Sequence, residues 1–217
     1  MRRKQTFLIF ITSVAVLGGF LFGYDTAIIA GSLVFVEKQL LPSEWWLGII
    51  VSGTTFGAVI GSGFSGYFAD KYGRKKLLLS TSFIFILAAI FMAISQNEIE
   101  LTLARFICGL GVGLAAMSSP LYIGEVAPRE VRGKLVTAYQ VAINFGIVVA
   151  YLVSLGLIHL NSIYAENSSV TFAFLGSDDI WRVMLGSAIV PGFLLLLFAC
   201  FIPESPRWLI RSYALMT

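Results

Sequence analysis

Six long apolar segments constrain this chain more than any other feature of its sequence. A bilayer core about 30 Å thick is crossed by about 20 helical residues at a rise of about 1.5 Å each. Hydrophobic residues make up 58% of the chain and charged residues only 12%. We therefore predict an all-α membrane protein with six transmembrane helices, and the predicted segments are residues 7–35, 45–69, 77–94, 99–122, 135–157 and 183–202.

Basic residues fall on one side of the predicted bundle. They precede the first segment and follow the second, fourth and sixth, whereas the other loops carry mainly Asp and Glu. Short cytoplasmic loops collect Lys and Arg, so both termini are predicted to be cytoplasmic. This pattern accounts for the net charge of +3, and no nucleic-acid motif is visible. The predicted partner is therefore the lipid bilayer and not a nucleic acid.

Enzymatic chemistry has little support in the sequence. No pairing of nucleophile and base, phosphate loop or metal-ligand cluster is evident, so no catalytic residue, metal or cofactor is predicted. Cys108 and Cys200 each lie in an apolar segment, where an isolated thiol usually serves packing. We expect a protein that is not an enzyme.

Asp25 and Arg105 are ionisable residues placed inside apolar segments. Asp25 lies 18 residues after Phe7, which is about 27 Å along a straight helix, and Arg105 lies about one turn inside the fourth segment. The two side chains are thus at compatible depths. Burial favours a neutral carboxyl group, whereas a nearby guanidinium favours the carboxylate, so alternating exposure of the pair could load and release a proton. A static ion pair between helices is an equal alternative on these grounds.

Two amides and several glycines also lie within apolar segments. Gln140 and Asn144 are four residues apart on one helical face, where they could bind hydroxyl groups or form interhelical hydrogen bonds. Small residues allow helix backbones to approach closely in lipid. The glycine pairs that indicate such packing are Gly19-x-x-x-Gly23, Gly57-x-x-x-Gly61 and Gly109-x-x-x-Gly113.

The loop after the second segment carries a specific motif. Positive-inside charge alone does not explain its aspartate and glycines, and it resembles G-x-x-x-D-(R/K)-x-G-R-(R/K) of the major facilitator superfamily, here Gly66 to Lys75. Further matches resemble the sugar porter branch, and especially the bacterial xylose–proton symporters, over the whole chain. These are Arg105-Phe106-x-x-Gly109-x-Gly111-x-Gly113, Pro120-x-Tyr122-x-x-Glu125-x-Ala127-Pro128-x-x-x-Arg132-Gly133, Trp181-Arg182 and Pro203-Glu204-Ser205-Pro206-Arg207-Trp208-Leu209.

The resemblance implies a fold and a set of roles. The fold is the N-terminal half of the superfamily, built from 3+3 inverted repeats. Asp25 and Arg105 match the proton-coupling pair of sugar symporters, with protons as the coupling ion. Phe22 and Gln140 match residues that line the cavity for a monosaccharide. In this family, facilitative uniporters usually lack an acid at the position of Asp25.

Six further residues match a charge network that closes the inner gate in this family. From the residues alone each could simply be a helix-end residue. The positive-inside rule explains the cations but leaves the three acids unexplained, which favours a network. The residues are Asp70, Arg74, Glu125, Arg132, Glu204 and Arg207.

The length of the chain bears on what it can do. Residues 1–202 are predicted to form the six-helix bundle and residues 203–217 a cytoplasmic tail that ends before the second bundle of the family. The substrate site of such transporters lies between two halves. We therefore expect a multi-pass protein of a bacterial inner membrane, acting as a sugar–proton symporter when completed by a homodimer partner or a second half. The alternatives are a facilitative uniporter and a truncated, non-transporting protein.

Overall fold

The computed structural model describes residues 2–166 and 179–214, and every regular element among them is a helix. Their bounds are α1 Arg2–Leu40, α2 Glu44–Tyr72, α3 Arg74–Ile94, α4 Glu98–Val126, α5 Arg129–Glu166, α6 Ile180–Gly186, α7 Ile189–Phe201 and α8 Pro206–Ala214. Six stretches are long and apolar enough to cross a membrane, the sixth consisting of α6 and α7 together. This confirms the predicted all-α architecture with six spans.

The helices extend past the predicted apolar segments at several ends. Only Gly73 separates α2 from α3, so the basic residues Arg74 to Lys76 form the first turn of α3 rather than a loop. Helix α5 likewise includes residues 129–166 instead of 135–157. Hydropathy detects only the part of a helix that suits lipid, whereas the backbone hydrogen bonds continue into charged turns. For this reason the prediction from hydropathy placed the charged ends of the helices in loops.

The start of α4 shows how local sequence sets a helix boundary. The Asn97 side chain accepts a hydrogen bond from the backbone N–H of Glu100 at 2.9 Å. In return, the Glu100 carboxylate accepts one from the backbone N–H of Gln96 at 2.8 Å. These bonds satisfy donors that a helix N-terminus otherwise leaves free, as in a capping box. Gln96, Asn97 and Glu100 thus set the start of α4, the helix that carries Arg105.

The packing of the helices repeats with inverted topology. Helix α2 packs most extensively against α4, and α1 against α5, while α3 packs on α4 as α6 and α7 pack on α1. Exchanging α1, α2 and α3 for α4, α5 and the α6–α7 pair converts each of these four contacts into another of them. The chain therefore has the 3+3 architecture of one major facilitator half, as the resemblance implied.

Close backbone contacts follow the same repeat. In both the α1–α5 contact and the α2–α4 contact, a pair of glycines lies against two carbonyl groups four residues apart on the partner helix, and a third glycine on that partner returns the contact. In the first set, Gly19 and Gly23 face Tyr139 and Ile143, and Gly146 faces Phe20; in the second, Gly109 and Gly113 face Thr54 and Ala58, and Gly61 faces Leu110. A Cβ atom at these positions would collide with backbone, so the repeat requires glycine there.

The buried and exposed faces of the bundle differ among helices. Helices α1 and α4 lie centrally, and α2 and α5 are the most exposed. The largest fully buried side chains include Trp181, Tyr122 and Phe85. The exposed faces of α2 and α5 carry large apolar residues such as Phe56, Phe64 and Phe145. Asp25 and Arg105, which are ionisable and buried inside the bundle, lie on the two central helices α1 and α4.

Candidate functional site

Asp25 and Arg105 form a buried ion pair between α1 and α4. The Arg105 Nη1 atom lies 2.8 Å from Asp25 Oδ1, and each residue is only 2% exposed. The Cys108 thiol donates a second hydrogen bond to the same oxygen at 3.2 Å. Asp25 Oδ2 and Arg105 Nε are buried without a hydrogen-bond partner among the described residues. The structure thus brings together the two residues whose depths were predicted to match.

Cys108 was not predicted to take part in this site. Its place in an apolar segment indicated a packing role, although it follows Arg105 by three residues and therefore shares its face of α4. That spacing was the available signal. Both cysteines are free, and Cys200 is exposed.

Phe22 and Gln140 lie near the contact between α1 and α5. Phe22 is half-buried and packs against the core, whereas the Gln140 side chain is exposed. Residues next to them set how α1 and α5 align, because Gly23 on α1 lies directly against the Ile143 carbonyl on α5. Asn144 donates a hydrogen bond to the backbone carbonyl of Gln140 at 3.1 Å. Gln140 therefore presents its amide outward from the half-bundle, where another molecule could bind it.

Arg74 lies at the centre of a charge cluster at one end of the bundle. Its guanidinium contacts the carboxylates of Asp70 at 3.2 Å and Glu125 at 2.8 Å. It also donates a hydrogen bond to the backbone carbonyl of Ala69 at 2.9 Å. Arg74 is buried, so these acceptors replace the water that a guanidinium otherwise binds. The cluster ties the ends of α2, α3 and α4 together.

Glu204 joins the cluster as a cap for α3. Its Oε1 atom accepts hydrogen bonds from the backbone N–H groups of Arg74 at 2.7 Å and Lys75 at 3.0 Å. Gly73 makes this approach possible, because its φ is +92° and a side chain there would collide with the Glu204 carboxylate. A negative charge is also favoured at a helix N-terminus. The segment after α7 is thereby fixed to the start of α3.

The remaining two predicted members are placed differently. Arg132 donates a hydrogen bond to the backbone carbonyl of Ala127 at 3.2 Å and forms no ion pair among the described residues. Arg207 is exposed on α8 and forms no hydrogen bond or ion pair with any residue that the structure describes. Instead Arg211, one turn later, contacts Asp70 at 2.9 Å. Arg211 was predicted only as one of the basic residues that follow the sixth segment. Its spacing of four residues from Arg207 places both on one face of α8, and this was the available signal.

Glu204 and Arg207 provide a test of this division of roles. Glu204→Ala leaves two backbone N–H groups of α3 without their acceptor, and we expect a loss of about 1–2 kcal/mol in the free energy of unfolding. Arg207→Ala should change it by less than about 0.5 kcal/mol, because the side chain is exposed. SDS titration of the folded chain in mixed micelles measures both values. Equal losses for the two variants would contradict the assignment of Glu204 as the cap.

A second polar cluster lies at the opposite end of the bundle, at the start of α6. The Trp181 indole N–H donates to Gln39 Oε1, and Gln39 Nε2 donates to Asp179 Oδ1 at 2.6 Å. Arg182 donates to Asp179 at 2.8 Å and to the backbone carbonyl of Ser95. Hydrogen bonds from Gln39 and then Arg182 hold the pKa of the Asp179 carboxyl below its usual value. This cluster joins α1, α3 and α6.

The sequence of this chain is similar to those of sugar transporters along nearly its whole length. The profile of the family described as "Sugar (and other) transporter" matches residues 11–214. The glucose transporter GlcP of Staphylococcus epidermidis is 40% identical over 210 residues, covering 97% of this chain and 43% of that protein. The arabinose-proton symporter of Bacillus subtilis is 37% identical, covering 95% of this chain and 42% of that protein.

Solved structures agree with this relationship. The proton:xylose symporter XylE bound to 6-bromo-6-deoxy-D-glucose matches with a TM-score of 0.81 and 34% identity, covering 95% of this chain and 47% of that one. The inward open form of XylE from E. coli matches with a TM-score of 0.79 and 35% identity, over 95% and 51% of the two chains. The chain thus spans about half the length of these relatives. It is an integral multi-pass membrane protein that belongs to the sugar transporter family of the major facilitator superfamily.

Proposed function

We propose that this chain supplies the N-terminal half of a monosaccharide transporter driven by protons. The observation that carries the proposal is the Asp25–Arg105 pair, which lies at 2.8 Å inside the bundle. Intramembrane ionisable residues are costly and usually functional. Several relatives are named as proton symporters, and their named sugars are arabinose, galactose and xylose. A protonatable acid on α1 fits such coupling, whereas a purely facilitative carrier has no need of it.

The coupling step follows from the charge of the pair. With Asp25 ionised the pair is neutral overall, and protonation of its carboxylate leaves the pair with one positive charge. A guanidinium without a counter-ion is poorly tolerated in a low-dielectric interior, so the protonated state favours a different arrangement of α1 and α4. Sugar binding and proton binding are then linked through the conformations that each one favours.

The sugar contact is proposed at Phe22 and Gln140. The exposed Gln140 amide offers both a donor and an acceptor for hydroxyl groups, and the Phe22 ring offers an apolar surface for one face of a sugar. These residues form one wall of a cavity. A second six-helix half, either a separate chain or another copy of this one, would supply the opposite wall, as in transporters whose site lies between two halves.

The proposed orientation places the Arg74 cluster and both termini in the cytoplasm. The distribution of Lys and Arg supports this placement, because the basic loops are all on the Arg74 side. The charge cluster of Asp70, Arg74, Glu125 and Glu204 would then stabilise the inner gate when closed, and Arg132 and Arg207 are proposed as the other two residues of that gate. The host membrane is proposed to be a bacterial inner membrane.

Uptake by proteoliposomes tests the proposal. Labelled arabinose, xylose, galactose and glucose are offered to liposomes that contain this chain alone, or this chain with the C-terminal half of the Bacillus subtilis arabinose-proton symporter. Each preparation is measured with and without an imposed proton gradient. We expect gradient-driven accumulation of at least one sugar when both halves are present.

The other outcomes separate the alternatives. Flux that ignores the proton gradient would identify a facilitative uniporter and overturn the coupling role. Absence of flux in both preparations, with correct insertion shown by protease protection, would favour a non-transporting membrane protein. Accumulation by this chain alone would show that two copies complete the site.

A further inference from the structure

The Asp25 carboxylate has two chemically different oxygen atoms. Arg105 Nη1 and Cys108 Sγ both donate to Oδ1, at 2.8 Å and 3.2 Å. Oδ2 is buried and has no hydrogen-bond partner among the described residues. A carboxylate offers acceptor sites on both oxygens, so this distribution leaves the free lone pairs on one of them. The environment therefore distinguishes the oxygen that is held from the oxygen that is free.

Cys108 contributes to that distinction through its place on α4. It follows Arg105 by three residues, so the two donors lie on one face of the helix and reach the same atom. The thiol is 1% exposed and therefore has no water to bind instead. A second donor on Oδ1 restricts rotation of the carboxylate about its χ2 torsion. Without it, one bond from Arg105 would leave that torsion freer.

We propose that Cys108 is a positioning residue for proton coupling, fixing Asp25 Oδ1 together with Arg105 so that Oδ2 is the oxygen that receives the proton. This inference rests on the proposed transport function. A hydronium ion on the exposed side loses a proton from one of its O–H bonds and becomes water, and the proton forms an O–H bond at Oδ2, which converts the carboxylate into the neutral acid. Arg105 keeps its positive charge and the Cys108 thiol keeps its proton. Release reverses the same step, so the thiol is neither oxidised nor deprotonated.

Infrared spectroscopy tests the contact without requiring transport. The chain has two cysteines, and replacing the exposed Cys200 by serine leaves Cys108 as the sole source of an S–H stretching band. A thiol that donates to a carboxylate absorbs at lower frequency than a free thiol. We expect a lowered band in the C200S protein and a shift to higher frequency when Asp25→Asn is added. A band at the free-thiol frequency that ignores Asp25→Asn would overturn the proposal.

Transport assays then test the positioning role. Cys108→Ala removes the donor, and we expect the gradient-driven accumulation ratio to fall by about three-fold or more, the size of one modest hydrogen bond. Sugar exchange at equal concentrations should fall less, because it requires no net proton transfer. Cys108→Ser places a hydroxyl donor at the same position and should restore most of the accumulation that Cys108→Ala loses.

The pattern of these variants is decisive. Equal impairment by Ala and Ser would assign Cys108 to packing, and unchanged accumulation in both would remove any role; either result contradicts the proposal. If the unmodified chain moves no sugar in any preparation, the proposed transport function fails. The S–H band still decides whether the thiol is bound to Asp25, so the two failures remain distinguishable.

Discussion

Replacing Asp25 by asparagine should lower the free energy of unfolding by about 3–5 kcal/mol and abolish proton-driven accumulation of sugar. The substitution leaves the Arg105 guanidinium buried beside a neutral amide, and an arginine side chain cannot shed its proton to escape this cost. The amide also cannot bind and release a proton. Stability is measured by SDS titration in mixed micelles, and accumulation in proteoliposomes that contain both halves.

The opposite substitution should be less costly. In Arg105→Leu the acid that remains can become neutral by binding a proton, which relieves the burial of an unpaired charge. The double variant Asp25→Asn with Arg105→Leu removes both charges, and we expect it to regain most of the stability without regaining coupling.

Arg211→Ala is the control, because it breaks the exposed Arg211–Asp70 pair and should cost at most about 1 kcal/mol. Additive losses in the double variant would show that Asp25 and Arg105 do not act as a pair.

Replacing Gly57 by alanine should destabilise the bundle by about 3 kcal/mol, since an added methyl group has no space between α2 and α4. Its Cβ atom would collide with the carbonyl oxygen of Phe106 and lie 2.9 Å from the Gly109 Cα atom. These are backbone atoms, so the two helices must separate to make room. The same SDS titration measures the loss.

Gly63 on the same helix is the matched control. It is exposed, and a Cβ atom there would meet nothing within 4 Å. Gly63→Ala should therefore change the free energy of unfolding by no more than about 1 kcal/mol, in the stabilising direction that helix propensity predicts. Comparable destabilisation by both substitutions would mean that glycine acts through backbone conformation and not through the α2–α4 contact.

The sequence by itself determined the helical architecture of this protein and the depth of its two buried ionisable residues. Segments of about 20 apolar residues leave a chain little choice but to span a bilayer as helices, because backbone groups in lipid must bond within the segment. The positions of Asp25 and Arg105 along their helices fixed compatible depths, because helical rise is constant. The loop signature from Gly66 to Lys75 also indicated the family.

Only the tertiary structure decided which atoms meet. Depth along two helices does not give their rotation or neighbours, so the 2.8 Å Asp25–Arg105 contact and the approach of Cys108 to the same oxygen required packed helices. For a similar reason, the structure places Arg211 in contact with Asp70 of the charge cluster, whereas the predicted Arg207 is exposed and makes no such contact. Side chains one helical turn apart are equivalent in a charge pattern, and the docking of α8 alone selects between them. Contacts between distant segments depend on how helices rotate and pack, which no local pattern encodes.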